Sequence, residues 1–335
     1  MRSKIFRIHN KRGYMWLRMG VTIFLAVSVV LVNFLSACSP AAEQPAPPVQ
    51  SKLAFPVDIT DQMGRQVRIE KMPETIVSLS PANTEIIYAL GLGEKLVGVT
   101  EFCDYPEVAK DKPKVGGFSI VDIERVIEIQ PDLVLAADIH KDEVIPQLEG
   151  LGLTVLALAP KTLDEVLDAI ILVGKCTGQQ EEAIQLVTEM GSRIKTITDK
   201  TRNLTQTDRP RVFYIMWHDP LMTVGSDAQI HELIELAGGI NIAQDLGEGY
   251  PTMSLEAVII ANPQVIVAGT SHGEGANLPY QFVLTEERLR DVDALVNGHV
   301  YEINTDLVGR PGPRMVGGLE QMARMIHPEI FGPIE

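Results

Sequence analysis

Aromatic side chains, cysteine and positive charge are all scarce in this 335-residue sequence. Aromatics make up 5% of it, with only two tryptophans, so rings gathered at predicted loop positions carry information. The three cysteines, Cys38, Cys103 and Cys176, show no CxxC or Cys/His spacing, which argues against a zinc site built on them. Lysine and arginine number 29 against 44 acids, a net charge of −15 that disfavours nucleic acid and anionic membrane surfaces as partners. Catalytic signatures are missing as well. There is no GxSxG, no Walker loop, and no GxGxxG opening a helix after a strand. Gly91-Leu92-Gly93 follows a helical pattern instead, and the carboxylates Glu302 and Asp306 have no catalytic spacing. Long membrane-spanning apolar runs and a phosphate-binding loop are also lacking.

What is present begins at the N-terminus. Residues 1–20 carry Arg2, Lys4, Arg7, Lys11, Arg12 and Arg18 and no acid, and residues 21–35 are almost wholly apolar. Such a run falls short of the roughly 20 residues of a spanning helix and reads as a secretory signal. It ends in Leu35-Ser36-Ala37-Cys38, which resembles the lipobox of bacterial lipoprotein signals. That resemblance implies cleavage before Cys38 and a lipid thioether on its sulfur. Loss of residues 1–37 removes six positive charges and no negative ones, taking the net charge from −15 to −21. It also removes Trp16 and leaves Trp217 as the one tryptophan. Residues 38–54, rich in Pro and Ala, are expected to serve as a flexible tether between lipid and domain. The compartment permits a Cys103–Cys176 disulfide, but two unpaired, inert thiols are the expectation.

From Phe55 the chain reads as alternating short strands and helices. FPVDITDQMGRQVRIE suggests a hairpin, and ETIVSLS, KLVGV, DLVLA and LTVLAL suggest buried strands separated by helical segments. This alternation predicts a parallel sheet with helices on both faces. Residues 179–203 break the rhythm: Ile184, Val187, Met190, Ile194 and Ile197 recur at helical spacing across a charged segment. One long amphipathic helix is expected there, and the strand–helix pattern restarts at RVFYIMW. The predicted organisation is therefore a signal over 1–37, a linker over 38–54, an N-terminal lobe over 55–178, an interlobe helix over 179–204 and a C-terminal lobe over 205–335.

The restart is an internal repeat. DIERVIEIQPDLVLA from Asp122 and SLEAVIIANPQVIVA from Ser254 match at an offset of 132 without a gap. EIIYALG from Glu85 and ELIELAG from Glu232 match at 147, so the first lobe holds an insertion within the stretch containing Phe102, Tyr105 and Phe118. Two α/β lobes create a cleft, and ligands favour the carboxyl ends of parallel strands at such an interface. A single helical connection predicts small hinge motion. Extending the repeat aligns His140 with His272, just past equivalent strands; His218 follows Trp217. Neutral imidazoles bind zinc, iron and cobalt, so these three could face a metal, or else contact only water.

IVSLSPANTEIIYALGLGEKLVGVTEFCDYP closely resembles the start of the solute-binding proteins of bacterial ABC importers for vitamin B12, ferric siderophores and haem, above all the vitamin B12-binding branch. GGINIA and PRMVGGLEQMARMIHP fit as well, and the likeness runs over roughly residues 70 to 328. It implies a class III periplasmic-binding-protein fold, two Rossmann-like lobes joined by one long helix, without catalysis or cofactor. It further implies a monomer working with a permease dimer and its cytoplasmic ATPase, held to the membrane through the lipid alone. By the family's pattern, Glu124 and Glu256 dock onto permease arginines, while Phe102, Phe118, Trp217 and Tyr250, with Tyr105 nearby, line the cleft. Ala137 stands where the B12-binding relative has tryptophan, which weakens the corrinoid assignment. Arg310 could reach anionic groups on a ligand, whereas Arg314 would start the last helix and pack locally. A corrinoid is the first expectation for the ligand and a ferric siderophore or haem the second. A zinc or bare-metal carrier is the third, and a surface enzyme on this scaffold is the alternative from another class.

Overall fold

The structure is a computed structural model that describes residues 54–270 and 275–334. The signal segment, Cys38, most of the linker and His272 lie outside the described residues. The chain enters through a hairpin, β1 (Val57–Thr60) paired antiparallel with β2 (Gln66–Ile69). Its strict alternation buries Val57, Ile59, Val67 and Ile69 on one face. Asp61 closes the turn by accepting the backbone N–H groups of Met63 and Arg65 at 3.0 and 2.9 Å.

The first sheet comprises β3 (Ile76–Ser78), β4 (Leu96–Val99), β5 (Leu133–Ala137) and β6 (Val155–Leu158), all parallel in the order β4-β3-β5-β6. Strands β3, β5 and β6 are buried along their whole length, as expected where helices cover both faces. Those helices are α1 (Pro81–Ala89), α2 (Ile123–Ile129), α3 (Val144–Gly150) and α4 (Leu163–Thr177). Ser80 caps α1, accepting the N–H of Asn83, and Pro81 occupies the first turn, where no donor is missed.

The long helix is α5, Gln180–Thr201. At 1.5 Å per residue it spans about 33 Å. It packs on α4 through a close approach: a Cβ added to Gly174 would sit 2.4 Å from the Cβ of Ala183. The buried seam runs Ala183, Met190, Ile197, at intervals of seven. Ile184, expected on that stripe, is instead exposed. The small pair Gly174 and Ala183 makes the close approach at that end, while Met190 and Ile197 hold the seam as expected.

The second lobe contains β7 (Arg211–Ile215), the hairpin β8 (Trp217–His218) and β9 (Leu221–Met222), α6 (Gln229–Leu236), β10 (Ile240–Asn241), α7 (Leu255–Ala261) and β11 (Val265–Thr270). Then follow α8 (Leu278–Thr285), α9 (Asp293–Val296), β12 (Val300–Asn304), α10 (Thr305–Gly309), α11 (Met315–Ile326) and α12 (Pro328–Phe331). Its sheet is parallel in the order β10-β7-β11-β12. In each sheet the first strand lies between the second and the third, with the fourth outside the third, so the sequence repeat is also a repeat of topology. Helices α2 and α7 match in detail. Asp122 and Ser254 cap them by accepting the N–H of Arg125 and Ala257, and both end in a left-handed residue, Gln130 (φ 50°) and Asn262 (φ 46°). A proline follows each left-handed cap, where it cannot continue the helix.

One apolar core runs through the hairpin, both sheets, α5 and α11. Two smaller clusters fill the far side of each sheet. Cys103 and Cys176 are buried and unpaired. Cys103 packs against the Thr84 and Thr100 hydroxyls at 3.1 Å, and burial pushes the Cys176 thiol up to about 12.

Candidate functional site

Each sheet order reverses between its first and third strands, and a crevice opens at their carboxyl ends. In the first lobe these ends deliver Ser80 and the first turn of α1 beside Ala137 and Asp138. The Asn83 side chain ties the two together by donating to the Ala136 carbonyl at 3.0 Å. A cleft of 840 Å³ lies over this edge and reaches the second lobe at Asp227–Gln229, Gly249–Tyr250 and Gly309–Pro311. Its size falls within the range of about 300–1,000 Å³ common for small-molecule sites.

Four of the six expected ligand-contact residues line this cleft: Phe102, Phe118, Tyr250 and Arg310. Phe102 and Tyr250 are more than half and half exposed, and they present rings from opposite lobes. Phe118 is held edge-on against the His140 ring, 5.7 Å between centroids at 77°. Ala137 forms part of the floor, where a larger side chain would narrow the space. Trp217 is not among the lining residues. It is 39% exposed on the β8–β9 hairpin, with its indole N–H donated to the Asp219 carbonyl at 2.9 Å. Tyr105 lies behind the cleft and lines a second cavity of 490 Å³ beside α5 and α11.

The idea of a histidine metal site meets an obstacle at His140, which is fully buried. Its Nδ1 accepts the Ala137 N–H at 2.9 Å and its Nε2 donates to the Phe118 carbonyl at 2.7 Å. Both nitrogens are therefore engaged, and burial lowers the pKa of the ring below its ordinary value. His140 is a brace joining the end of β5 to the Phe118 loop. His218 packs between Trp217 and Phe282, ring centroids 4.9 and 5.9 Å away, and His272 lies outside the described residues. Among the described residues no group of three or more His, Cys, Asp or Glu side chains is arranged to hold a metal.

Arg310 also differs from expectation. Rather than presenting a free guanidinium, it is enclosed by carboxylates: Asp104 Oδ1 at 2.5 Å, Asp306 Oδ1 at 3.0 Å and Glu85 Oε1 at 3.7 Å. Arg314 does start α11, as expected, but it also reaches across to the other lobe. Its Nε and Nη2 donate to Glu85 Oε2 and Oε1 at 2.9 and 2.6 Å, and its guanidinium lies 3.9 Å above the Tyr105 ring. Glu85 is 2% exposed; burial raises its pKa, and the two arginines oppose that rise. On the other side of the cleft, Glu232 accepts the Leu163 N–H at 2.8 Å and Gln229 donates to the Pro160 carbonyl at 2.8 Å. These interlobe ties carried no signal in sequence beyond the pairing of Glu85 with Glu232 in the repeat.

Glu124 and Glu256 occupy the first turns of α2 and α7 and are both exposed. Glu256 has Arg288 Nη1 3.6 Å away, on the same surface.

Two repeated α/β lobes, a long connecting helix and a cleft with rings from both sides define a two-lobed solute-binding protein of the class III type. The chain belongs to the periplasmic binding protein family, whose sequence profile matches residues 76–307. It is 36% identical to the uncharacterized ABC transporter substrate-binding lipoprotein YvrC of Bacillus subtilis, over 94% of this chain and 98% of that one. A protein of Halobacterium salinarum named cobalamin-binding protein is 29% identical over 92% of this chain and 85% of its own length. The crystal structure of the periplasmic vitamin B12-binding protein BtuF of Vibrio cholerae superposes with a TM-score of 0.66 at 29% identity, covering 76% of this chain and 97% of that one. The protein is thus an extracytoplasmic ABC-transporter substrate-binding protein, of a family that works with permease and ATPase components. The family is one of solute-binding proteins rather than enzymes, in keeping with the absent catalytic signatures. Among the described residues no helix is long and apolar enough to cross a membrane.

Proposed function

We propose that this protein captures a corrinoid of the vitamin B12 type in the cleft and hands it to a permease. The observation that carries this reading is the 840 Å³ cleft with Phe102 and Phe118 from one lobe and Tyr250 from the other. Ring faces suit the flat, apolar parts of a macrocycle. Likeness to proteins named for cobalamin and vitamin B12 supports the choice of ligand. Glu124 and Glu256, one per lobe, would accept permease arginines in charge-assisted pairs. A lipid on Cys38 would hold the protein at the membrane, with residues 38–54 as the tether.

Calorimetric titration of the purified full chain with cyanocobalamin tests the ligand, and one-to-one saturable binding is expected. Absence of binding refutes the corrinoid reading. Glu124→Ala combined with Glu256→Ala should abolish transport by the reconstituted importer while leaving cyanocobalamin affinity within about twofold. A loss of affinity in that variant would refute the docking assignment.

A further inference from the structure

We propose that the two helix-start carboxylates dock unequally: Glu124 is an open acceptor for a partner's arginine, whereas Glu256 is opposed by Arg288 of its own lobe, so the N-terminal lobe carries more of the docking. This rests on the reading of Glu124 and Glu256 as the permease-docking pair. It concerns how strongly each lobe is gripped, not which ligand the cleft holds.

The repeat makes the two glutamates equivalent, and α2 and α7 present both in the first turn of a capped helix. Their surroundings differ. Arg288 lies on the turn that follows α8. Its Nε and Nη2 donate to Glu286 Oε1 and Oε2 at 2.8 and 3.0 Å, and its backbone N–H donates to the same Oε1 at 3.2 Å. The Glu286 side chain is only 18% exposed, so this fork-to-fork pair fixes the guanidinium in the surface. The remaining nitrogen, Nη1, lies 3.6 Å from Glu256 Oε1. That separation is too long for a hydrogen bond, so Glu256 keeps its acceptor sites while a cation stands at its edge. Around Glu124 the neighbouring cation is engaged elsewhere. Arg125 Nε pairs with Asp122 Oδ2 at 3.4 Å, and its Nη1 donates to the Lys114 carbonyl at 2.9 Å. Among the described residues Glu124 has no ion pair. An arginine arriving at Glu124 therefore meets an unshared charge. One arriving at Glu256 must settle beside a guanidinium that Glu286 keeps from swinging aside, and like-charge repulsion subtracts from the pair it forms.

The test measures binding of the ligand-free full chain to the purified permease–ATPase complex in nanodiscs, by biolayer interferometry at about 20 mM and about 0.5 M ionic strength. Glu124→Ala should weaken binding at least about twofold more than Glu256→Ala at low ionic strength. Arg288→Ala should tighten it by roughly two- to fivefold, with the gain shrinking at high ionic strength. The Arg288 side chain is 59% exposed, so its removal leaves the packed interior untouched. In the Glu256→Ala background Arg288→Ala should change little, because the cation acts through that carboxylate; a gain that came instead from the unpaired Glu286, or from net charge alone, would persist there. Equal losses from the two glutamate variants, an Arg288→Ala variant that binds no more tightly than the wild type, or a gain that survives without Glu256 overturns the inequality while leaving the docking pair intact. If neither Glu124→Ala nor Glu256→Ala weakens binding, the docking reading falls and the inequality with it.

Discussion

Replacing Arg314 with alanine should destabilise the fold by about 3 kcal/mol at pH 7. Breaking a buried ion pair from one side costs about 3–5 kcal/mol because an uncompensated charge is left behind. Here the remaining charge is Glu85, 2% exposed, with Arg310 still 3.7 Å away. That residual partner places the loss at the lower end of the range. The guanidinium stacked 3.9 Å over Tyr105 adds about 0.5–1 kcal/mol. The pH dependence carries the sharper test. Burial already raises the Glu85 carboxyl, and removing Arg314 takes away its main opposing influence. A carboxyl that holds its proton more tightly folded than unfolded loses stability as pH rises from the ordinary 4.5 through the raised folded value. The deficit of Arg314→Ala should therefore be full at pH 7 and smaller at pH 5, where Glu85 can take up a proton. Urea unfolding of the wild type and the variant at both pH values measures it, and adding Glu85→Gln should abolish the pH dependence of the deficit. A deficit below about 1 kcal/mol at pH 7, or one equal at pH 5 and pH 7, would refute the reasoning.

Asp132 anchors the start of β3: it pairs with Lys71 at 2.8 Å and accepts the N–H groups of Glu74 and Thr75 at 2.9 and 3.1 Å. Lys71 above all, aided by those N–H groups, lowers its carboxyl to about 2. Its stabilisation is present above the ordinary carboxylate range and lost as pH falls toward 2, so Asp132→Asn should cost about 1–2 kcal/mol at pH 7. The difference from wild type should close between about pH 4 and pH 2, read by urea unfolding across that range. His140→Ala removes both hydrogen bonds of the brace and should cost about 2–4 kcal/mol by the same assay. It should also weaken ligand binding by freeing the Phe118 loop; unchanged affinity would mean Phe118 is held without it. Because burial lowers the His140 pKa, its contribution falls as pH drops below 6.5, the unfolded state then taking up the proton first.

The fold was readable in the sequence because it is written twice. Apolar runs of strand length between helical segments pointed to parallel sheets, and the match of Asp122–Ala136 with Ser254–Ala268 pointed to two lobes. The exposure of Glu124 and Glu256 follows from their first-turn positions, which local sequence determines. Readings that required distant residues fared less well. Arg310 and Asp104 lie 206 residues apart, so no local pattern announces the cage. His140 aligned with His272 and suggested a shared site, yet alignment does not tell a ring facing a cleft from one braced inside a lobe. Ile184 has the spacing of a core residue, but the Gly174–Ala183 approach is a property of two helices together. The aromatics expected in the cleft divided on the same ground: Phe102 and Phe118 sit on loops over a strand end and line it, whereas Trp217, on the β8–β9 hairpin, is not among the lining residues.

The internal repeat does a second thing beyond duplicating a fold. Its two helix glutamates, Glu85 and Glu232, both bridge the lobes, one to the Arg314 guanidinium and the other to the N–H of Leu163. They close opposite edges of the cleft, and burial raises the pKa of both carboxyls. The apolar core continues through α5 from one lobe to the other, so the lobes share interior as well as ties. Spontaneous wide opening would expose that interior and strip a buried carboxylate of its partner. We infer small excursions for the free protein, which similar small-angle scattering profiles with and without ligand would support and a large compaction would refute. In the proposed cycle, release then depends on work done from outside. The surface carboxylates, one on each lobe at Glu124 and Glu256, are where a permease that grips both lobes would apply it.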